Sequence, residues 1–244
     1  MDAITQPESI PSQYWANVFG VEAGALFSQP CNVIQHSPRL AEHRGIQGIY
    51  RGKSGTLSFP LDCCQSLRDL SSKCGDGVEQ IADAYRSTGL EVIGPAYIGY
   101  ADRVQKTASD ARLLTIDDLE LLNELKSHCL VAEWDHGGSE IGETPLAGFM
   151  VQRELIAVAG YEVWGGVIAH ISVVVHPAHR GKGYGRSVVS LCASTAIAAG
   201  LLAQYRTLGA NIPSIQIANS LGFESFAESV AIRLRPEDLT PPSP

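Results

Sequence analysis

The chain has 244 residues, 45% hydrophobic and only 18% charged, which is enough apolar matter for one large core or two modest ones. Its formal charge of −8 argues against a nucleic-acid binder, because neutralising phosphates takes a surplus of Lys and Arg. No apolar run reaches the ~18 residues of a membrane span, and the start MDAITQPESIPSQYW has neither the basic nor the apolar part of an export signal. The six cysteines, Cys31, Cys63, Cys64, Cys74, Cys129 and Cys192, are irregularly spaced with no C-x-x-C pair. They read as reduced thiols of a cytoplasmic protein, with neither a zinc site nor a disulfide framework.

The first hundred residues are irregular. Residues 13–19 form an expected short helix and 31–35 a short strand, while 47–50 and 56–59 flank Arg51-Gly-Lys-Ser-Gly55 as a hairpin. Val78, Ile81, Ala82 and Tyr85 recur at helical spacing, which predicts a helix over 76–86 with Asp76 as its cap. Residues 90–100 read as extended, and the polar stretch 101–110 as a linker. The expected domains are therefore an accessory domain at 1–105, a second domain at 106–236, and a disordered, proline-rich tail at 237–244.

Beyond the linker the pattern is more regular. A short strand at 111–115 precedes a helix at 117–129 with Leu121, Leu122, Leu125 and Cys129 on one side, and then a Gly-rich loop, Trp134-Asp-His-Gly-Gly138. Strands follow at 146–152, 155–163 and 167–175. Residues 183–199 read as a helix with Tyr184, Val188, Leu191, Cys192, Thr195 and Ala198 inward, stopped by Gly200. A strand at 202–208, a helix at 213–221 between Pro213 and Gly222, and a strand at 226–234 complete the chain. This order implies an α/β or α+β fold, a mixed sheet covered by helices.

The most informative segment is Val175-His-Pro-Ala-His-Arg-Gly-Lys-Gly-Tyr-Gly185. A β-branched run stops at Pro177, three alternating glycines follow, and a helix begins. Glycines let backbone approach a ligand, and a helix N-terminus offers free N–H groups and partial positive charge. A diphosphate suits such a turn, and Arg180 and Lys182 add charge-assisted contacts. The G-x-x-x-x-G-K-[ST] loop and the G-x-G-x-x-G fingerprint are both absent.

Arg180, Gly183 and Gly185 resemble the R/Q-x-x-G-x-G/A pyrophosphate motif of the GCN5-related N-acetyltransferases (GNAT). Asn211-Ile-Pro-Ser-Ile-Gln-Ile-Ala-Asn-Ser-Leu-Gly-Phe223 is similar to that family's N-x-x-S-x-x-x-A-x-x-L-G-F segment, so the likeness covers about residues 110–235. The resemblance implies acetyl-CoA as co-substrate and direct attack by an amine of a small molecule or protein. It also implies a bulge in the strand at Ser172–Val175 that splays the sheet. Backbone at Val173, Val174 and Val175 would then meet the pantetheine arm. The segment Arg180, Gly181, Lys182, Gly183, Tyr184, Gly185 and Arg186 would cradle the diphosphate, with Asn211 and Ser214 also on the cofactor. No metal is expected.

Where many relatives carry the Tyr that protonates the leaving thiolate, this chain has Ala218. Tyr205, Tyr161, Ser214 or water remain for that role. His170, Glu162 and the segment Glu133-Trp-Asp-His136 are the candidate proton acceptors, with His170 favoured because it titrates near neutrality. The tip Arg51-Gly-Lys53 could reach the 3′-phosphate, and Gly94–Tyr100 could wall an acceptor pocket. The first half is expected to shape the acceptor site or a homodimer. The alternative function is an acyl-CoA-binding module without catalysis.

Overall fold

The computed structural model describes residues 9–29, 31–107, 110–142 and 144–239. In chain order its elements are α1 (Ile10–Phe19), β1 (Asn32–Gln35), β2 (Gly45–Arg51), β3 (Ser54–Phe59), α2 (Gln65–Asp69), α3 (Val78–Arg86), β4 (Glu91–Ala101), β5 (Arg112–Leu113), α4 (Leu119–His128), α5 (Val131–Gly137), β6 (Ala147–Val151), β7 (Glu154–Trp164), β8 (Ile168–Val175), α6 (Tyr184–Ala198), β9 (Leu202–Leu208), α7 (Ile212–Leu221) and β10 (Glu224–Arg233). They gather into two compact units. The first holds the described residues up to Ile98, Thr207–Asn211 and those from Ser225 onward; the second holds Gly99–Arg206 and Ile212–Glu224.

In the first unit the strand order is β1-β3-β2-β10. β2 and β3 form the expected hairpin, from Gln47↔Ser58 to Arg51↔Ser54. β10 lies antiparallel on β2, from Glu228↔Tyr50 to Arg233↔Gly45. This ladder returns the last strand to the first unit, so the compact units do not divide the chain at a single linker. Tyr85, Ile81 and Ala82 of α3 pack in one core with Tyr50, Leu57, Phe59 and Val230. Gly77, not Asp76, caps α3, because its φ of 116° makes a turn that L-residues avoid.

Two expectations fail here. Cys31 and Cys74 are joined as a disulfide, with Cα atoms 5.8 Å apart, while Cys63, Cys64, Cys129 and Cys192 are free. Forty-three positions separate the pair, and only the folded chain brings them together. The expected disordered tail also starts too early. Pro236–Asp238 form a 3-10 turn, Asp238 is buried and its carboxylate accepts from Arg235 Nε at 2.9 Å. Residues 240–244 lie outside the described residues.

In the second unit the order is β9-β8-β7-β6-β5, with β9 parallel to β8 and the other neighbours antiparallel. It is a mixed sheet with helices on both faces. Leu122 and Leu125 of α4 and Trp134 of α5 cluster with Leu146, Leu155, Val158 and Val174 on one face. On the other face Gly185 of α6 is so close that a Cβ there would lie 3.1 Å from Val175. The buried positions of α6 are Gly185, Val188, Val189, Ser190, Cys192, Ala193 and Ala196. Its inward stripe is thus displaced from the expected one: Tyr184, Leu191 and Thr195 are half-buried and Ala198 is exposed. Of the Gly-rich loop expected at 134–138, residues 134–137 are in fact the last part of α5, and Gly138 is its extended C-cap. No helix among the described residues is long and apolar enough to cross a membrane.

Candidate active site

β8 pairs with β7 without interruption from Ile168↔Trp164 to Val175↔Ala157. On its other side it pairs with β9 only from Ile168↔Leu202 to Ile171↔Tyr205. Beyond Ile171 no strand among the described residues lies on that edge of β8. The expected splay is therefore present, but it comes from strands diverging and not from a bulge at 172–175. The register irregularity in this sheet lies between Phe149 and Met150 of β6.

Strand geometry decides which residues offer backbone at that edge. His176 N–H donates to Ile156 C=O at 2.8 Å, which makes residues 176 and 156 a hydrogen-bonded pair. Bonding alternates along an antiparallel ladder. The backbone groups of Val174 and Ser172 therefore face β7, and those of Val173 and Val175 face the unpaired side. Of the three valines named as pantetheine contacts, Val173 and Val175 thus turn their backbone groups away from β7, and Val174 does not.

After β8 the chain makes a 3-10 turn at Pro177–His179 and enters the glycine turn. Gly181 and Gly183 have φ of 75° and 85°, values costly for a side chain. A Cβ built at either meets nothing within 4 Å, so the turn is open to an approaching group. Gly183 is the N-cap of the 15-residue α6, with no side-chain cap and no acid in the first turn. The first-turn N–H groups of α6 thus have no intrahelical acceptor, and the helix dipole adds positive charge. These residues fit a diphosphate. Tyr184 packs its ring on Phe149, with centroids 4.7 Å apart.

The basic side chains of this segment have protein partners. Lys182 Nζ donates to Ala178 C=O at 3.3 Å, and Arg186 Nε to Ser220 Oγ at 3.0 Å, which joins α6 to α7. Arg180 Nε donates to Val175 C=O at 3.2 Å, and its Nη2 lies 2.9 Å from Glu133 Oε1. Bonding to Arg180 holds the Glu133 carboxyl below the usual range. Asn211 immediately precedes α7, its N–H donating to Leu208 C=O at 2.9 Å.

The three expected catalytic residues do not converge. Tyr205 pairs with Ile171 at the fork, and Gln204 pairs with His170. Adjacent strand residues point to opposite faces, so Tyr205 and His170 lie on opposite sides of the sheet. Tyr205 Oη is 2.8 Å from Ser214 Oγ of α7, its ring lies against Phe223, and burial pushes its pKa up. Ala218 is fully buried in α7, so that position is occupied by packing. Tyr161 is buried and opposes Ile171, on the Tyr205 side of the sheet.

His170 stacks on Trp164 with ring centroids 4.0 Å apart, and burial lowers its pKa. Its Nδ1 lies 2.8 Å from Gln204 Oε1, while Gln204 Nε2 donates to Tyr100 Oη. With the amide so oriented, Nδ1 carries the proton and Nε2 the lone pair. Glu162 opposes His170 but accepts from Trp164 Nε1 at 3.2 Å. Glu133 sits at the other end of β8, next to Arg180. Asp135 and His136 are in α5, and His136 Nδ1 is engaged with Ala132 C=O. No group of three or more metal-ligating side chains occurs among the described residues.

Residues 103–223 match the family model described as acetyltransferase (GNAT) family. This segment is a GNAT acetyltransferase domain. The match reaches from just beyond β4 to the end of α7 and contains the divergent β8, the glycine turn and α6. Similar solved structures include a GNAT-family protein from Novosphingobium aromaticivorans DSM 12444, 21% identical over 59% of this chain and 66% of that one, TM-score 0.46. A GCN5-related N-acetyltransferase-like protein from Streptococcus suis 89/1591 is 16% identical over 78% and 83% of the two chains, TM-score 0.48. The Salmonella typhimurium protein YncA with its cofactor acetyl-CoA is 19% identical over 53% and 94%, TM-score 0.39. The chain spans just under two thirds of the Novosphingobium protein. No curated protein matches it.

Sequence reasoning missed the Gln204 partner of His170 and the Glu133–Arg180 pair. Gln204 reads as an ordinary strand residue, and 34 positions separate it from His170. Glu133 did carry a signal. It stands three residues after Leu130, whose N–H donates to Glu133 Oε2 at 3.2 Å, the spacing of a helix-start acid.

Proposed function

We propose that the GNAT domain moves an acetyl group from acetyl-CoA to an amine, on a small molecule or a protein, by direct attack. The observation that carries this reading is the edge of β8 beyond Ile171, which leads straight into an open glycine turn and the uncapped N-terminus of α6. Backbone N–H groups of that turn would hold the diphosphate, and Val173 and Val175 would offer their N–H groups to the amide-bearing pantetheine arm. The thioester supplies the activated acyl group; the chain supplies position and proton transfer.

Tyr205, at the fork and bonded to Ser214, is the candidate acid. A phenol with a raised pKa stays protonated at neutral pH and can donate from Oη to the departing sulfur, recovering its proton from water. His170, on the opposite face of the sheet from Tyr205, is the candidate proton acceptor and would act on the amine through water. Gln204 fixes its tautomer, and a lowered pKa keeps it neutral, the form that accepts a proton. An ammonium acceptor gives up two protons: one to His170 before attack, and one from nitrogen as the tetrahedral intermediate collapses. The second offsets the one Tyr205 delivers to the thiolate, so one proton is released to solvent overall.

The buried Ala218 favours a second reading, an acyl-CoA-binding module without turnover. Release of free thiol from acetyl-CoA with a panel of amines separates the two. Amine-dependent release well above hydrolysis supports the enzyme; tight binding with no release for any amine supports the module.

A further inference from the structure

Glu133 and Arg180 are the only charged pair joining α5 to the glycine turn among the described residues. Each end of α5 is fixed against the segment that starts at the unpaired edge of β8. At its start, Glu133 binds its own helix through Leu130 N–H and binds Arg180, whose Nε in turn holds Val175 C=O. At its end, Gly137 approaches β8 so closely that a Cβ would lie 2.6 Å from Val173 C=O. α5 therefore runs along Val173–Arg180, beside the unpaired edge of β8. The seventh residue of α5 has to be glycine for the same reason. With its guanidinium committed to Glu133 and Val175, Arg180 braces the turn from outside, and Gly181 and Gly183 face the open side.

We propose that Glu133, acting through Arg180, is a positioning residue for acyl-CoA: the pair sets α5 against β8 and shapes the glycine turn, and Glu133 takes no proton in the reaction. This inference rests on the acetyl-CoA reading above. Glu133 lies next to Arg180, while His170 is five residues further back from Val175, roughly 16 Å along an extended strand. A carboxylate committed to a guanidinium and a backbone N–H is also poorly suited to accept a proton near neutrality.

The test is a double-mutant cycle on the full chain, with Glu133→Gln, Arg180→Gln and both together. The readouts are acetyl-CoA Kd by calorimetry and steady-state kcat and KM with an active amine. Glutamine at 133 can still accept from Leu130 N–H but loses the ion pair. The pair is partly exposed, with side chains 49% and 34% accessible, so a small effect is expected. Glu133→Gln should weaken acetyl-CoA binding about threefold to fivefold with kcat within twofold of the parent, the range for an exposed pair. In the Arg180→Gln background the same change should have no further effect. Glu133→Asp, which keeps the charge, should recover part of the loss.

Any of three outcomes overturns the proposal. Tighter binding by Glu133→Gln would mean that Glu133 competes with the diphosphate for Arg180. Unchanged Kd and KM would make the pair a surface contact without consequence. A kcat loss of ~10²-fold or more at constant Kd would make Glu133 the proton acceptor. A parent that does not bind acetyl-CoA at all would instead sink the functional reading on which the proposal rests, so the two failures are distinguishable.

Discussion

Replacing Gly183 with Asp separates the stability of the glycine turn from its use. Gly183 has φ of 85°, and a Cβ there meets nothing within 4 Å, so the substitution creates no internal clash. The stability cost should be the left-handed strain of an L-residue, about 1 kcal/mol, because Asp tolerates that region better than most. For a chain of this size that lowers Tm by about 2–4 °C. The cost to an incoming diphosphate is larger. A carboxylate about 5 Å from one phosphate charge repels it by roughly 1–3 kcal/mol between the dielectric limits of water and protein surface. Two phosphate charges give ~2–6 kcal/mol, a loss of at least tenfold in affinity. Acetyl-CoA at 100 times the parent's Kd should stabilise the parent by ~2.7 kcal/mol, a Tm rise of about 5–11 °C. A variant bound 100-fold more weakly would gain only ~0.4 kcal/mol at that concentration, a rise of about 1–2 °C. Thermal scans of both proteins with and without acetyl-CoA read the difference. A variant that melts 2–4 °C lower yet keeps the parent's ligand-induced rise would refute the placement of the diphosphate at this turn.

Three further outcomes are expected. His170→Gln should lower kcat/KM by about 10²–10⁴-fold and leave acetyl-CoA Kd unchanged, whereas a variant that only melts earlier would make the ring structural. The same ring gives a sign for stability. Its folded pKa lies below the unfolded value of 6.5, so the folded state resists protonation and stability should fall as pH drops below 6.5. The fall should be shallower in His170→Gln. Asp118 accepts from Thr115 N–H at 2.8 Å and pairs with Arg112, which lowers its pKa to about 2. Its stabilisation should be present above pH ~4 and lost as pH falls towards 2. Asp118→Asn should cost about 1–2 kcal/mol at pH 7 in a denaturant titration and abolish that acid-sensitive part; equal midpoints for both proteins at pH 7 would rule the pair out as a contributor. Reducing the Cys31–Cys74 disulfide should lower the unfolding midpoint by the equivalent of about 2–4 kcal/mol, since it closes a long loop in the unfolded chain. An unshifted midpoint under reductant, with both thiols shown to be free, would show that the first unit's core does not depend on the bond.

The local features were legible because their causes are local. The turn at Arg180–Gly185 needs positive φ at Gly181 and Gly183, and only the sequence spacing of those glycines is required to see it. The strand periods that became β7, β8 and β9 and the stop of α6 at Gly200, with φ of 84°, are likewise near-neighbour effects. The helix α5 was hidden for an equally specific reason. Gly137 and Gly138 resemble a loop, but Gly137 ends a helix that has to pass within van der Waals contact of Val173 C=O. Glycine there answers to a neighbour 36 positions away in the sequence. The Cys31–Cys74 bond and the return of β10 to β2 had no sequence signal for the same reason.

By itself the sequence determined most of the elements, though not α2 or α5, together with the mixed class of the fold and the glycine turn that opens α6, since hydrophobic period and glycine dihedrals act within a few residues. Tertiary structure decided the rest. Register placed Tyr205 and His170 on opposite faces of the sheet, and the departure of β9 after Ile171 left the backbone of Val173 and Val175, but not of Val174, without a strand partner. Folding gave His170 its Gln204 and Arg180 its Glu133. Strand pairing and side-chain contact are relations between distant positions, and each depends on a one-residue register that hydrophobic pattern alone leaves free.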